Sequence, residues 1–139
     1  MPDTHNAYIT SQHQHLNDCE LDLEALATVL GERDWTRIER SAAERILHLL
    51  IESCIGIAKQ RARQLTGMPC ENVMSAFERL SEAEPDSTSV PWRRVIGLRN
   101  VLVHDYLSID DRIVQSVLEQ KHYRSLLNFA RTTLDRLGA

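Results

Sequence analysis

Apolar residues recur at intervals of three and four along most of the chain, and nowhere does the sequence show the strict alternation of a strand. Leu16, Cys19, Leu23, Leu26, Ala27 and Leu30 form a first stripe, predicting a helix from near Tyr8 to a C-cap at Gly31. Ile38, Ala42, Ile46, Leu49, Leu50, Cys54, Ile57, Ala58, Ala62 and Leu65 extend the pattern over about eight turns, until Gly67-Met68-Pro69 stops it. Val73, Phe77 and Leu80 predict a short third helix with Asn72 as N-cap. Glu84 to Ser89 then reads as a surface loop. Ser89 is expected to cap a fourth helix with Pro91 in its first turn, where a missing N–H costs nothing. The apolar side of that helix is Trp92, Val95, Ile96, Leu102 and Val103. Ser108-Ile109-Asp110-Asp111 has the form of a capping box, and predicts a fifth helix from near Ile109. Its stripe is Ile113, Val117, Tyr123, Leu127, Ala130, Leu134 and Leu137. The expected fold is an all-α antiparallel bundle of about five helices, with Trp35 and Trp92 packing at helix starts.

Composition narrows what such a bundle can be. A chain of 139 residues, 42% hydrophobic and 26% charged, is expected to form one globular domain over residues 1–139. No apolar run approaches the roughly 18 residues of a membrane span, and the first residues lack the basic start and apolar stretch of a secretory signal. A cytoplasmic protein with no membrane partner is therefore expected. Cys19, Cys54 and Cys70 are odd in number and lack zinc-type spacing, so they read as buried, inert thiols. The net charge of −4 argues against coating nucleic acid through a general basic field. Any RNA contact must be local, and Arg93, Arg94 and Arg99 fall within one short segment.

The chemistry concentrates where the fourth helix ends. At about 100° per residue, Asn100 and His104 lie roughly 40° apart on one helix face, and Arg99 about 140° from His104, a gap that a long side chain closes. An imidazole near pKa 6.5 is suited to take a proton from a ribose 2′-hydroxyl. The permanent, forked cation of Arg99 is suited to hold the phosphate and favour a crowded anionic phosphorane. No ordered carboxylate cluster with magnesium or zinc spacing accompanies them, and no metal or cofactor is expected. The same residue types also occur at helix ends for capping alone, so they leave catalysis and plain capping both open.

The run from Arg99 to Tyr106 resembles the R-x-x-x-x-H-x-Y motif of the HepT toxins, a branch of the HEPN superfamily. Gly97-Leu98 before it, Ile109-Asp110 after it, and Glu52-Ser53-Cys54-Ile55-Gly56-Ile57-Ala58 upstream are similar to that family in order and spacing, over roughly residues 46 to 118. The first 35 residues carry no such signature. The resemblance implies a metal-independent endoribonuclease toxin that dimerises, with Arg and His of both protomers lining one cleft. Arg99 and His104 then become the catalytic pair, and Asn100 and Glu52 orient the site. It also implies RNA, such as tRNA, as substrate, and a MntA-like minimal nucleotidyltransferase as antitoxin. That partner would silence the toxin by adding AMP to Tyr106. One added charge about 6 Å from the scissile phosphate, at an effective dielectric near 20, costs roughly 3 kcal/mol before steric blocking is counted.

Since HEPN domains also bind nucleotides or act as scaffolds, a non-catalytic nucleotide- or protein-binding module is the alternative; a helical interaction domain with an accidental motif is the third reading. His13 and His15, two residues apart, are expected to point to different sides of a solvated helix face. His48 shares a face with Glu44 and Glu52 and reads as a member of a surface ion pair.

Overall fold

The computed structural model describes residues 2–139, apart from the side chains of Pro2, Asp3 and Tyr106. Six α-helices are present among the described residues: α1 (Pro2–Leu30), α2 (Arg37–Thr66), α3 (Val73–Ala83), α4 (Trp92–His104), α5 (Asp111–Glu119) and α6 (Tyr123–Gly138). Single 3-10 turns lie at Pro85–Ser89 and Tyr106–Ser108, and no strand occurs among the described residues. None of the described helices is long and apolar enough to cross a membrane.

α2 is the centre of the bundle, because it touches every other helix. Its start is fixed by a reciprocal cap: the Thr36 hydroxyl accepts from the Glu39 N–H while the Glu39 carboxylate accepts from the Thr36 N–H. Arg33 clamps the same carboxylate with two donors at 2.7 and 2.9 Å. Its end is set by Gly67, whose φ of 74° suits a residue without a side chain. Between these caps Leu47, Leu50, Ile51, Cys54, Ile57 and Ala58 are fully buried against Leu16 and Leu23 of α1 and Leu127, Ala130 and Leu134 of α6. Ile38 was expected in this stripe but is 76% exposed, since it sits in the first turn before α2 meets its neighbours.

Below that core lies an aromatic cluster that anchors the start of α4. Trp92 stacks on Phe77 with centroids 3.9 Å apart and meets the edge of Phe129 at 4.6 Å. Its indole N–H donates to the Ser87 carbonyl at 3.0 Å. Trp35 packs just before α2 and donates to the Leu26 carbonyl at 2.9 Å. Both tryptophans thus lie at helix starts, as expected.

The segment expected to be a surface loop is instead a pinned turn. Glu84 pairs with Arg61 at 2.5 Å and with Arg136, and Asp86 takes a second arm of Arg136 at 3.0 Å. Ser87 is buried. Neither expected serine cap is made: Ser89 closes the 3-10 turn and Pro91 occupies the N-cap of α4, while Asp110 caps α5 by accepting from the Arg112 N–H at 3.0 Å.

The expected fifth helix is two helices. The chain breaks at Gln120 to His122, where Lys121 takes a left-handed φ of 57°. A non-glycine residue there costs about 1–2 kcal/mol. Lys121 is tied down by a 3.1 Å pair with Glu24 of α1. The break moves the phase of the helix before it: Val114 and Leu118 are fully buried, whereas the expected Ile113 is half exposed. Adjacent residues lie about 100° apart on a helix, so an error of one position turns the face outward.

α1 also begins earlier than expected, at Pro2 rather than near Tyr8. Its first turns lie against α6: His5 donates from Nε2 to the Leu137 carbonyl at 2.9 Å, and His13 lies 3.6 Å from Asp135. His15 meets the Cys19 thiol at 3.6 Å. Both central histidines are therefore half-buried rather than on a solvated face. Burial, with Asp22 and Asp18 nearby, pushes the Cys19 thiol up to about 11, and burial pushes Cys54 up as well, so both stay protonated and inert. Cys70 is only partly buried.

Candidate active site

α4 carries the motif, and its two ends are held very differently. Trp92, Ile96 and Leu102 bury its inner side. Arg93, Arg94, Gly97 and Asn100 stand in solvent. Of the three arginines expected to cluster, only Arg99 turns inward toward α2.

Arg99 Nη1 lies 3.5 Å from Oε1 of Glu52, and the arginine side chain is only 21% exposed. Its Nε is buried without a hydrogen-bond partner among the described residues. One long ion pair leaves most of the guanidinium donors uncommitted, so the cation is held in place while keeping donors for an anion. Glu52 Oε1 is shared: Nε2 of His48, one turn earlier on α2, lies 3.4 Å away. Arg45 donates from Nη1 to His48 Nδ1 at 3.2 Å. A chain of four polar side chains thus crosses from α2 to α4.

Beside it runs an open groove of about 410 Å³, lined by Ser41, Glu44, Arg45, His48, Leu102 and Val103. Burial raises the Glu44 carboxyl above its ordinary range, and Arg40 opposes that rise.

His104 is the last residue of α4 and is exposed, and its side chain has no hydrogen bond or ion pair to another described residue. Asn100, one turn back, is exposed as well. The helix closes when the Asp105 N–H donates to the Val101 carbonyl at 2.9 Å, and the 3-10 turn Tyr106–Ser108 follows. The Tyr106 side chain, expected to accept AMP, lies outside the described residues.

The structure therefore brings Glu52 to Arg99, places Asn100 and His104 on the outer face of the same helix, and makes no hydrogen bond between Arg99 and His104. The last point departs from the expectation that Arg99 reaches across to His104: its side chain is engaged with α2 instead. Along the chain around the histidine, Val101, Val103 and Leu107 are exposed, Leu107 to 89%.

The sequence profile of a family described as Ribonuclease HepT-like matches residues 16–133. The chain belongs to the HepT-like ribonuclease family. No curated protein and no solved structure matches it.

The HepT-like match reaches well beyond the stretch of roughly residues 46 to 118 that carries the resemblance in sequence. It begins at Leu16, the first fully buried residue of α1, and ends in α6 at Thr133, which is also buried. Residues 16–35, which show no family signature by eye, contribute Leu16, Cys19 and Leu23 to the shared core. In this HepT-like chain the residue that sequence reasoning left aside is His48. Its spacing from Glu52 was visible, but the meeting with Arg99 depends on how α4 packs on α2.

Proposed function

We propose that this HepT-like chain is the toxin of a HEPN/MNT type VII toxin–antitoxin pair, a metal-independent endoribonuclease acting on RNA such as tRNA. The carrying observation is the state of Arg99: half-buried beside one shared carboxylate, with donors to spare, on the helix that ends in an exposed histidine. Arg99 binds the scissile phosphate and stabilises charge as it builds on the phosphorane oxygens. His104 takes the proton of the 2′-hydroxyl, whose oxygen attacks phosphorus. The bond to the 5′-oxygen breaks, and that oxygen leaves with a proton from a protonated histidine or water. The products are a 2′,3′-cyclic phosphate and a 5′-hydroxyl. Asn100 orients the nucleotide beside His104, and Glu52 orients Arg99.

The working unit in this reading is a homodimer with a composite cleft. Two features support it: Arg99 faces α2 while His104 faces outward, and the apolar residues around the histidine are uncovered. Pairing two copies through that surface would bring the histidine of one protomer toward the arginine of the other. Tyr106, two residues past His104, is the acceptor for AMP from a MntA-like nucleotidyltransferase. A phosphodiester charge there would repel substrate from the cleft.

Incubating the unmodified protein with total tRNA should give fragments that disappear in Arg99→Ala and His104→Ala. Intact RNA after treatment with correctly folded wild type would refute the reading. Co-expression with a cognate nucleotidyltransferase should add mass in whole AMP units, lost in Tyr106→Phe.

A further inference from the structure

Glu52 presents one oxygen to two cations or donors at nearly equal distance, Nε2 of His48 at 3.4 Å and Nη1 of Arg99 at 3.5 Å. Which of them takes the carboxylate depends on the imidazole, and the imidazole's state is set by its other nitrogen. Arg45 lies 3.2 Å from Nδ1 and has only donors to offer. Nδ1 must therefore be the acceptor, which places the ring proton on Nε2, the nitrogen that faces Glu52. Polar contacts run from Arg45 through His48 to Glu52, and Arg99 approaches the same carboxylate oxygen.

We propose that His48 is a positioning residue of the HepT-like site: its Nε2 faces Oε1 of Glu52 at 3.4 Å and competes with Arg99 for that oxygen, and so keeps Glu52 from closing fully on Arg99. This rests on the reading of Arg99 as the phosphate-binding cation. Arg99 is 21% exposed and His48 19%, while Glu52 between them is 41% exposed, so water screens part of their attraction to it. Without His48, nothing competes with Arg99 for Oε1, and Glu52 can close into a two-pronged pair with the guanidinium. Such a pair would consume the donors and neutralise the charge that the phosphate needs. The other charged groups facing the imidazole, Glu44 and Arg45, stand on α2 itself, so Arg99 is the one charge that α4 presents to this cluster. His48 does not touch the reacting atoms in this account; it acts through Glu52.

Glutamine places an amide N–H where Nε2 stands, whereas leucine removes the donor and keeps the bulk. His48→Leu should lower kcat by about tenfold to a hundredfold with KM little changed, the scale of a misplaced catalytic group. His48→Gln should restore at least about half of the lost activity on a logarithmic scale. In a Glu52→Gln background, His48→Leu should have no further effect, because the carboxylate it restrains is gone. Equal losses for leucine and glutamine, or losses that add in the double variant, would overturn the proposal.

A second readout needs no RNA. Nitrogen NMR of the Arg99 guanidinium should show slowed rotation in His48→Leu relative to wild type, and that slowing should vanish in the double variant. Arg99 signals unchanged by His48→Leu would overturn the proposal even in an active enzyme. A folded wild type that cleaves no RNA would instead sink the ribonuclease reading, leaving these signals to decide the role of His48.

Discussion

The two ends of α4 make opposite use of apolar residues. At its start, Trp92 is buried in a stack with Phe77 and Phe129, and its indole N–H is satisfied. At its end, Val101, Val103 and Leu107 are exposed on either side of His104 in the chain. One end spends its apolar side chains on the bundle core; the other leaves them uncovered beside the motif. A helix anchored at one end and unpartnered at the other can hold its functional groups rigidly while presenting them to a second molecule. The comparison teaches that changes at the start of α4 should act on stability, and changes at its end on assembly and catalysis.

The largest test of that division is Phe129→Ala, which empties the aromatic cluster and should cost about 3–5 kcal/mol in chemical denaturation. A loss under about 1 kcal/mol would show that the cluster is not the anchor. Next comes the cap of the central helix: Thr36→Ala should destabilise the fold by about 1 kcal/mol, leaving the cleavage rate per folded molecule unchanged.

Acid should act on the same cap. Arg33, first, and the Thr36 N–H hold the Glu39 carboxyl down at about 2, from an ordinary 4.5. A depressed carboxyl contributes stability above its unfolded pKa and loses it as pH falls through its folded one. Thermal unfolding of wild type should therefore fall more steeply than that of Glu39→Gln between about pH 4.5 and pH 2. Parallel curves for the two proteins would remove this part of the account.

The smallest effect on stability, within about 0.5 kcal/mol, is expected for Leu107→Ser, because its side chain packs on little within the protomer. The same change should weaken self-association measured by sedimentation. A dimer of undiminished strength would place the interface elsewhere. Mixing Arg99→Ala with His104→Ala should also recover some cleavage, since a shared cleft then holds one intact arginine and one intact histidine.

The sequence made some of these features readable and hid others, for reasons that lie in their range. The end of α2 and the start of α3 were legible because Gly67 and Asn72 are local signals with a fixed backbone role. The break before α6 was not, because Gln120-Lys121-His122 contains neither glycine nor proline, and the left-handed turn at Lys121 is accompanied by a pair with Glu24, 97 residues away. The Glu84 turn looked like a loop for a similar reason: its partners Arg61 and Arg136 lie on α2 and α6. In the site, the order of Arg99, Asn100 and His104 was plain along one helix. The approach of His48 and Glu52 to Arg99 was not, because helical spacing fixes neighbours on one helix and says nothing about which helix packs beside it.

In the proposed function the outward end of α4 cuts RNA through internal attack by the 2′-hydroxyl. The most direct measurement is the chemistry of the fragment ends made by wild type in the presence of a metal chelator. The expected ends are 2′,3′-cyclic phosphates paired with 5′-hydroxyls, absent when His104 is replaced by alanine. Fragments ending in a 3′-hydroxyl, or cleavage that survives His104→Ala, would contradict it.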